Sequence, residues 1–99
     1  MSEGPWESSF AIPASHPCLP GHFPGRPVVP GVVLLDQVME AARAAGLGRA
    51  ARLPAAKFLR PVLPEERVTL TMRRTASGRV AFTGRVGEDL AFQGEIAEG

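Results

Sequence analysis

Residues 31–45 read GVVLLDQVMEAARAA, and this segment most constrains what the chain can become. Its length and its Leu, Met, Ala and Glu content predict a helix, despite the Val32–Val33 pair. Pro30 suits a helix start, where its missing N–H costs nothing. Gly46 and Gly48 predict the stop. Apolar residues at 32, 33, 34, 35, 38, 39, 41, 42 and 45 spread over most of the circumference. A helix like that has to be surrounded rather than laid on a surface. In a chain of 99 residues the cover must come from one small domain, residues 1–99.

The second half of the sequence supplies the cover. In RVTLTMRR, Val68, Leu70 and Met72 alternate with Thr69, Thr71 and Arg73. Val80, Phe82 and Val86 share one face of the next segment, and Leu90, Phe92 and Ile96 one face of the last. This period of two predicts three half-buried antiparallel strands. Turns at Ala76-Ser77-Gly78 and Gly87-Glu88-Asp89 join them as hairpins. The segment ARLPAAKFLRPV predicts another strand, irregular at Pro54 and closed by Pro61. A weaker strand is expected from Trp6 to Ile12. Residues 14–30 read as loop, by proline density alone. The expected fold is α+β, with a curved antiparallel sheet of about five strands wrapped around one long helix. Such a sheet covers only part of the helix and leaves an edge open, so a dimer is expected.

The net charge of +1 gives no general pull towards nucleic acid or membrane. Yet between Ala41 and Pro64 the charges are all basic: Arg43, Arg49, Arg52, Lys57 and Arg60. That run is either a solvated face or a landing patch for an acidic partner. Cys18 is the lone cysteine, so no intrachain disulfide can form. No leader-like start and no membrane-length apolar run is present, which makes the cytoplasm the expected compartment. His16, Cys18 and His22 are too few and too proline-broken to predict a metal site. Neither a G-x-S-x-G elbow nor a glycine-rich phosphate loop occurs.

The remaining chemistry gathers around LPGHFPGRPVVPG, residues 19–31. His22 stands among prolines and glycines that fix the direction of its ring; it is either a base or a loop histidine bonded to a carbonyl. Asp36 interrupts the most apolar stretch of the chain. It is either a desolvated acid, with its pKa raised, or part of a solvent stripe shared with Glu40 and Arg43. Gly31 opens the helix, where unpaired N–H groups and the positive dipole end can polarise a carbonyl. Together these groups describe proton chemistry beside a polarised carbonyl.

GHFPGRPVVPGVVLLD resembles the signature of the hot-dog-fold β-hydroxyacyl-acyl-carrier-protein dehydratases: H-F-P-G, a second P-G, and an acid fourteen positions after the histidine, here Asp36. KFLRPVLPEERVTLTMRR resembles the family's K-F-R-R-P-V-x-P-G-D segment and the strand after it. The likeness runs from about Ser15 to Ile96. It implies a hot-dog dimer with the active site at the interface, His22 of one protomer meeting Asp36 of the other. It also implies dehydration of a (3R)-hydroxyacyl thioester to a trans-2-enoyl thioester. In that scheme His22 takes the α-proton and Asp36 assists loss of the hydroxyl. The Gly31 N–H polarises the carbonyl, with Phe23 and Val32 lining the substrate and Glu40 in support. No cofactor is implied, because the substrate rides on the phosphopantetheine of an acyl carrier protein. Arg43, Arg49, Arg52, Lys57 and Arg60 would then meet that carrier.

The sequence departs from the pattern in places. Asp36 stands where simple dehydratases usually carry Glu, a choice resembling the branch that also isomerises the double bond. Glu40 replaces a frequent Gln, so two acids stand one turn apart. The chain is short, resembling members of specialised polyene-type pathways. Two alternatives stay open: a hot-dog thioesterase, and a non-catalytic subunit that completes a partner's site.

Overall fold

The structure is a computed structural model that describes residues 4–16, 28–47 and 52–97. Six elements follow one another: β1 (Trp6–Phe10), α1 (Gly31–Ala44), β2 (Arg52–Phe58), β3 (Val68–Arg74), β4 (Val80–Val86) and β5 (Asp89–Ala97). The strands form one antiparallel sheet in the order β1-β3-β4-β5-β2. The last three strands make the expected meander. The two strands nearest the N-terminus flank it, one on each side. β1 and β2 are therefore the edge strands of the sheet.

Alternation does the sorting. Val68, Leu70 and Met72 of β3 and Val80, Phe82 and Gly84 of β4 are buried, while their neighbours in sequence face outward. Trp6 and Phe10 of β1 pair with Met72 and Val68 and join the rim of the same core. From α1 come Val33, Leu34, Val38 and Ala42, all buried. At roughly 25 cal/mol per Å2 of apolar surface removed from water, this shared cluster holds helix and sheet together.

β5 breaks the pattern. Gly84 pairs with Phe92, but Arg85 pairs with Leu90, so Ala91 is an extra residue in the ladder. Ala91 and Phe92 are consequently both buried, and Leu90 is only half-buried. The bulge frees the Ala91 carbonyl to accept from the N–H groups of Leu59 (2.8 Å) and Arg60 (3.2 Å), just past the end of β2. Opposite the bulge, a Cβ at Gly84 would enter the Phe92 ring, so the ring lies flat on a glycine.

Both ends of α1 follow from their residues. Pro30 is the N-cap, and its carbonyl accepts from Val33 (3.0 Å) and Leu34 (3.3 Å). At the other end Gly46 takes φ 79°, which a glycine adopts without strain. Leu47 N–H then reaches the Ala42 carbonyl (2.7 Å) and Gly46 N–H that of Arg43 (3.0 Å). This pair of bonds is a Schellman closure, and the buried Leu47 completes it. Gly48 lies outside the described residues. As expected, the sheet covers only part of α1: Val32, Asp36, Glu40, Arg43 and Ala44 form an exposed stripe.

Candidate active site at the helix N-terminus

The N-terminus of α1 opens on a cleft of about 490 Å3, lined by Val28, Val29, Gly31 and Leu34 on one side and residues 58–62 on the other. The amides of Gly31 and Val32 precede the first helical bond, so they have no partner within the helix. They carry the positive end of the helix dipole, the place where an oxyanion is stabilised. Gly31 is closely approached from within the chain. Its neighbour in the structure is the ring of Phe58: a Cβ at position 31 would stand 2.8 Å from Phe58 Cζ. Phe58 is 47% exposed and tilts against Phe92, with ring centres 6.3 Å apart. The cleft thus has an aromatic wall anchored on the core.

The same wall is fastened electrostatically. Arg60 Nη2 donates to both Glu66 carboxylate oxygens (2.9 and 3.0 Å), and its Nε donates to the Pro61 carbonyl (3.0 Å). Arg60 Nη1 reaches Asp89 at 3.5 Å. The Glu66 carboxylate also accepts the Leu63 N–H (2.8 Å). That backbone bond, with the Arg60 guanidinium next, holds the Glu66 carboxyl below the usual glutamate range against the opposing effect of burial. The Val62 carbonyl, thus placed, accepts the Val29 N–H at 2.8 Å and draws residues 28–30 against the wall.

The other residues singled out from the sequence fall as follows. Gly31 and Arg60 line the cleft. Val32 and Asp36 stand outside it on the exposed stripe, Val32 at 64% exposure. In a single chain Asp36 is therefore solvent-facing, the second of the two readings its spacing allowed. Glu40 is likewise exposed and bound by Arg43 through both carboxylate oxygens (2.8 and 2.6 Å). Of the basic run, Arg52 and Lys57 are exposed on β2, Arg43 is paired and Arg60 is half-buried in its ion-pair network. The acids that meet this run come from outside it in sequence: Glu40, Glu66 and Asp89. His22, Phe23 and Arg49 lie outside the described residues, as does Cys18. Among the described residues no three His, Cys, Asp or Glu side chains gather as metal ligands. Glu66 and Asp89 were missed by sequence reasoning, because their link to Arg60 runs between separate segments.

Comparison with known proteins decides the family. Residues 2–95 match the ApeI-like family, described as ApeI dehydratase. This chain belongs to the ApeI-like dehydratases. Among curated relatives, the 3-hydroxyacyl-acyl-carrier-protein dehydratase FabZ of Haemophilus influenzae is 34% identical over 98% of this chain and 72% of its own length. FabZ of Mannheimia succiniciproducens is 32% identical over 98% of this chain and 71% of its own length. Two solved structures share the fold. One is the dehydratase heterocomplex ApeI:P from Xenorhabdus doucetiae (TM-score 0.79, 23% identity, 96% of this chain and 87% of that one). The other is an uncharacterized protein from Erwinia carotovora subsp. atroseptica (TM-score 0.73, 26% identity, 93% of this chain and 82% of that one). The fold of this ApeI-like dehydratase is thus the α+β hot-dog fold expected from its sequence. None of its described helices is long and apolar enough to cross a membrane.

Proposed function

We propose that this dehydratase works on a (3R)-hydroxyacyl thioester carried by an acyl carrier protein, from a dimeric site in which His22 of one protomer faces Asp36 of the other. The observation that carries this reading is the state of β2 and α1 in the single chain. From Ala55 to Phe58, β2 is exposed residue after residue, with its outer edge unpaired among the described residues. Beside it, α1 presents Val32 and Asp36, and Leu59 and Leu63 add exposed apolar surface. A second copy laid along this face covers the apolar groups and moves Asp36 out of water.

The chemistry then follows from the groups. The thioester carbonyl, bonded by the Gly31 amide, acidifies the α-carbon. His22 removes the α-proton, and the electron pair forms the Cα–Cβ double bond. The Cβ–O bond breaks as Asp36, directly or through water, gives the hydroxyl a proton, and water leaves. Both acid–base groups regain their starting state when the proton on His22 passes back to Asp36. The scheme moves only protons, so it assigns no cofactor. Of the basic run, Arg52 lies outside the stretch that the second copy covers and is exposed to meet an acidic carrier. A cytoplasmic setting fits a single cysteine.

The test is conversion of (3R)-hydroxyacyl-carrier thioesters of several chain lengths by wild type, His22→Ala and Asp36→Asn. Enoyl product from the wild type and at least a hundredfold less from each variant supports the reading. No enoyl product at any length, or equal rates with His22→Ala, overturns it. Release of free thiol instead would identify a thioesterase. A second reading, in which a different hot-dog chain completes the site, is kept because the Xenorhabdus neighbour is part of a heterocomplex. Native mass spectrometry of the chain alone separates the two.

A further inference from the structure

Glu65 is the one non-glycine among the described residues with positive φ, at 70°. That conformation crowds a Cβ, and an L-residue persists there only when its surroundings hold it. The sequence puts Pro64-Glu65-Glu66 where the dehydratase pattern has P-G-D, so a strained glutamate stands where a glycine would rest unstrained. What the glutamate does there is visible in its bonds. Its N–H donates to the Ile12 carbonyl (2.8 Å), a bond that glycine could make as well. Its Oε2 accepts the Ala14 N–H (2.9 Å), a bond that glycine could not make.

The two stems of residues 17–27 are therefore fastened to one loop. The incoming stem, residues 12–14, is tied to Glu65; the outgoing stem is tied at Val29 to the Val62 carbonyl. The same loop is itself braced by the Arg60–Glu66 pair and by the Ala91 carbonyl. Neighbouring acids thus have opposite duties: Glu66 faces Arg60 and stiffens the loop, while Glu65 reaches across to the stem.

We propose that Glu65 is a positioning residue, whose carboxylate fixes the stem leading into the His22-bearing segment while the same loop fixes the stem leading out. This rests on the dehydratase reading of His22. Loss of the tie frees the stem at Ala14 and lowers turnover, while the cleft lined by Gly31 and Phe58 stays in place. Misplacement by an ångström or so in such a geometry reduces rate about tenfold or more.

Glu65→Gly separates this role from folding, because it removes the carboxylate and relieves the backbone. The expected result is a melting temperature at or above the wild type's, kcat lower by about tenfold and KM within about twofold. Glu65→Gln keeps an acceptor of the same reach and should restore most of kcat. Hydrogen exchange at the Ala14 amide should be faster in Glu65→Gly than in wild type or Glu65→Gln. Wild-type kcat in Glu65→Gly, or equal losses in the Gly and Gln variants, overturns the proposal. If the wild type itself forms no enoyl product, the dehydratase reading fails separately. Ala14 exchange then decides the tie, and an unchanged rate in Glu65→Gly overturns it.

Discussion

The Arg60 guanidinium grips both carboxylate oxygens of Glu66, at 2.9 and 3.0 Å, with each side chain 27% exposed. Six residues apart in sequence, the two groups close the loop that forms one wall of the cleft. Because the Glu66 carboxyl is held below its ordinary range, the folded state binds its proton less readily than the unfolded chain. The contribution of the ionised Glu66 carboxylate, held first by the Leu63 N–H and then by Arg60, is therefore full above the ordinary glutamate range and is lost as pH falls through the lowered folded value. Thermal denaturation of wild type and Glu66→Gln across acid pH should show their difference largest near neutrality and vanishing in acid. A difference that grows in acid would contradict the ion pair.

Two glycines that each face an aromatic ring should respond differently to alanine. Gly84 lies under Phe92, which is 1% exposed and has nowhere to go. Gly84→Ala should cost about 3 kcal/mol in denaturant unfolding. Gly31 lies under Phe58, whose exposed ring can swing outward. Alanine also suits a helix better than glycine, so Gly31→Ala should change stability by less than about 1 kcal/mol. On the proposed mechanism the displaced ring and the added methyl sit beside the amide that bonds the thioester carbonyl, so kcat/KM should fall by about tenfold. Parallel unfolding and dehydration assays separate the two behaviours.

Val32 tests the dimer. At 64% exposure it contributes little to the fold of one chain. Val32→Glu should leave the secondary structure and the unfolding midpoint of the monomer intact. In the paired state the new carboxylate would be buried without a partner, weakening association by about a hundredfold. Sedimentation equilibrium at several concentrations measures this. A dimer constant unchanged from wild type would place the interface elsewhere.

The Glu40–Arg43 pair should matter little for stability. One guanidinium nitrogen reaches both carboxylate oxygens, but the side chains are 58% and 70% exposed. Glu40→Gln and Arg43→Gln should each shift unfolding by less than about 0.5 kcal/mol, and less still in high salt. A larger cost would mean that a neighbour outside the chain buries the pair.

Local patterns were legible from the sequence. The helix from Gly31, the three strands of the meander and the hairpins between them follow from periodicity and turn residues, although the structure starts the last strand at Asp89, inside the expected turn. The irregularity at Pro54 appears as a register shift between Arg52 and Ala55. The Ala91 bulge was not legible, because LAF contains no turn residue and the extra position shows only against the partner strand. The stripe of Asp36, Glu40 and Arg43 was legible as one possibility; its selection required knowing which face of α1 meets the sheet.

Sequence by itself determined most of the elements and showed the motif of His22, Gly31 and Asp36, whose resemblance to the dehydratase signature underlies the proposed function. Those properties depend on residues close together in the chain, where steric and propensity effects act directly. Only the tertiary structure decided the flanking positions of β1 and β2, the aromatic cover on Gly31 and the opposite duties of Glu65 and Glu66. Those depend on contacts between segments tens of residues apart. Ile12 and Ala14 meet Glu65, and Arg60 meets Asp89, only once a shared core has brought their segments together.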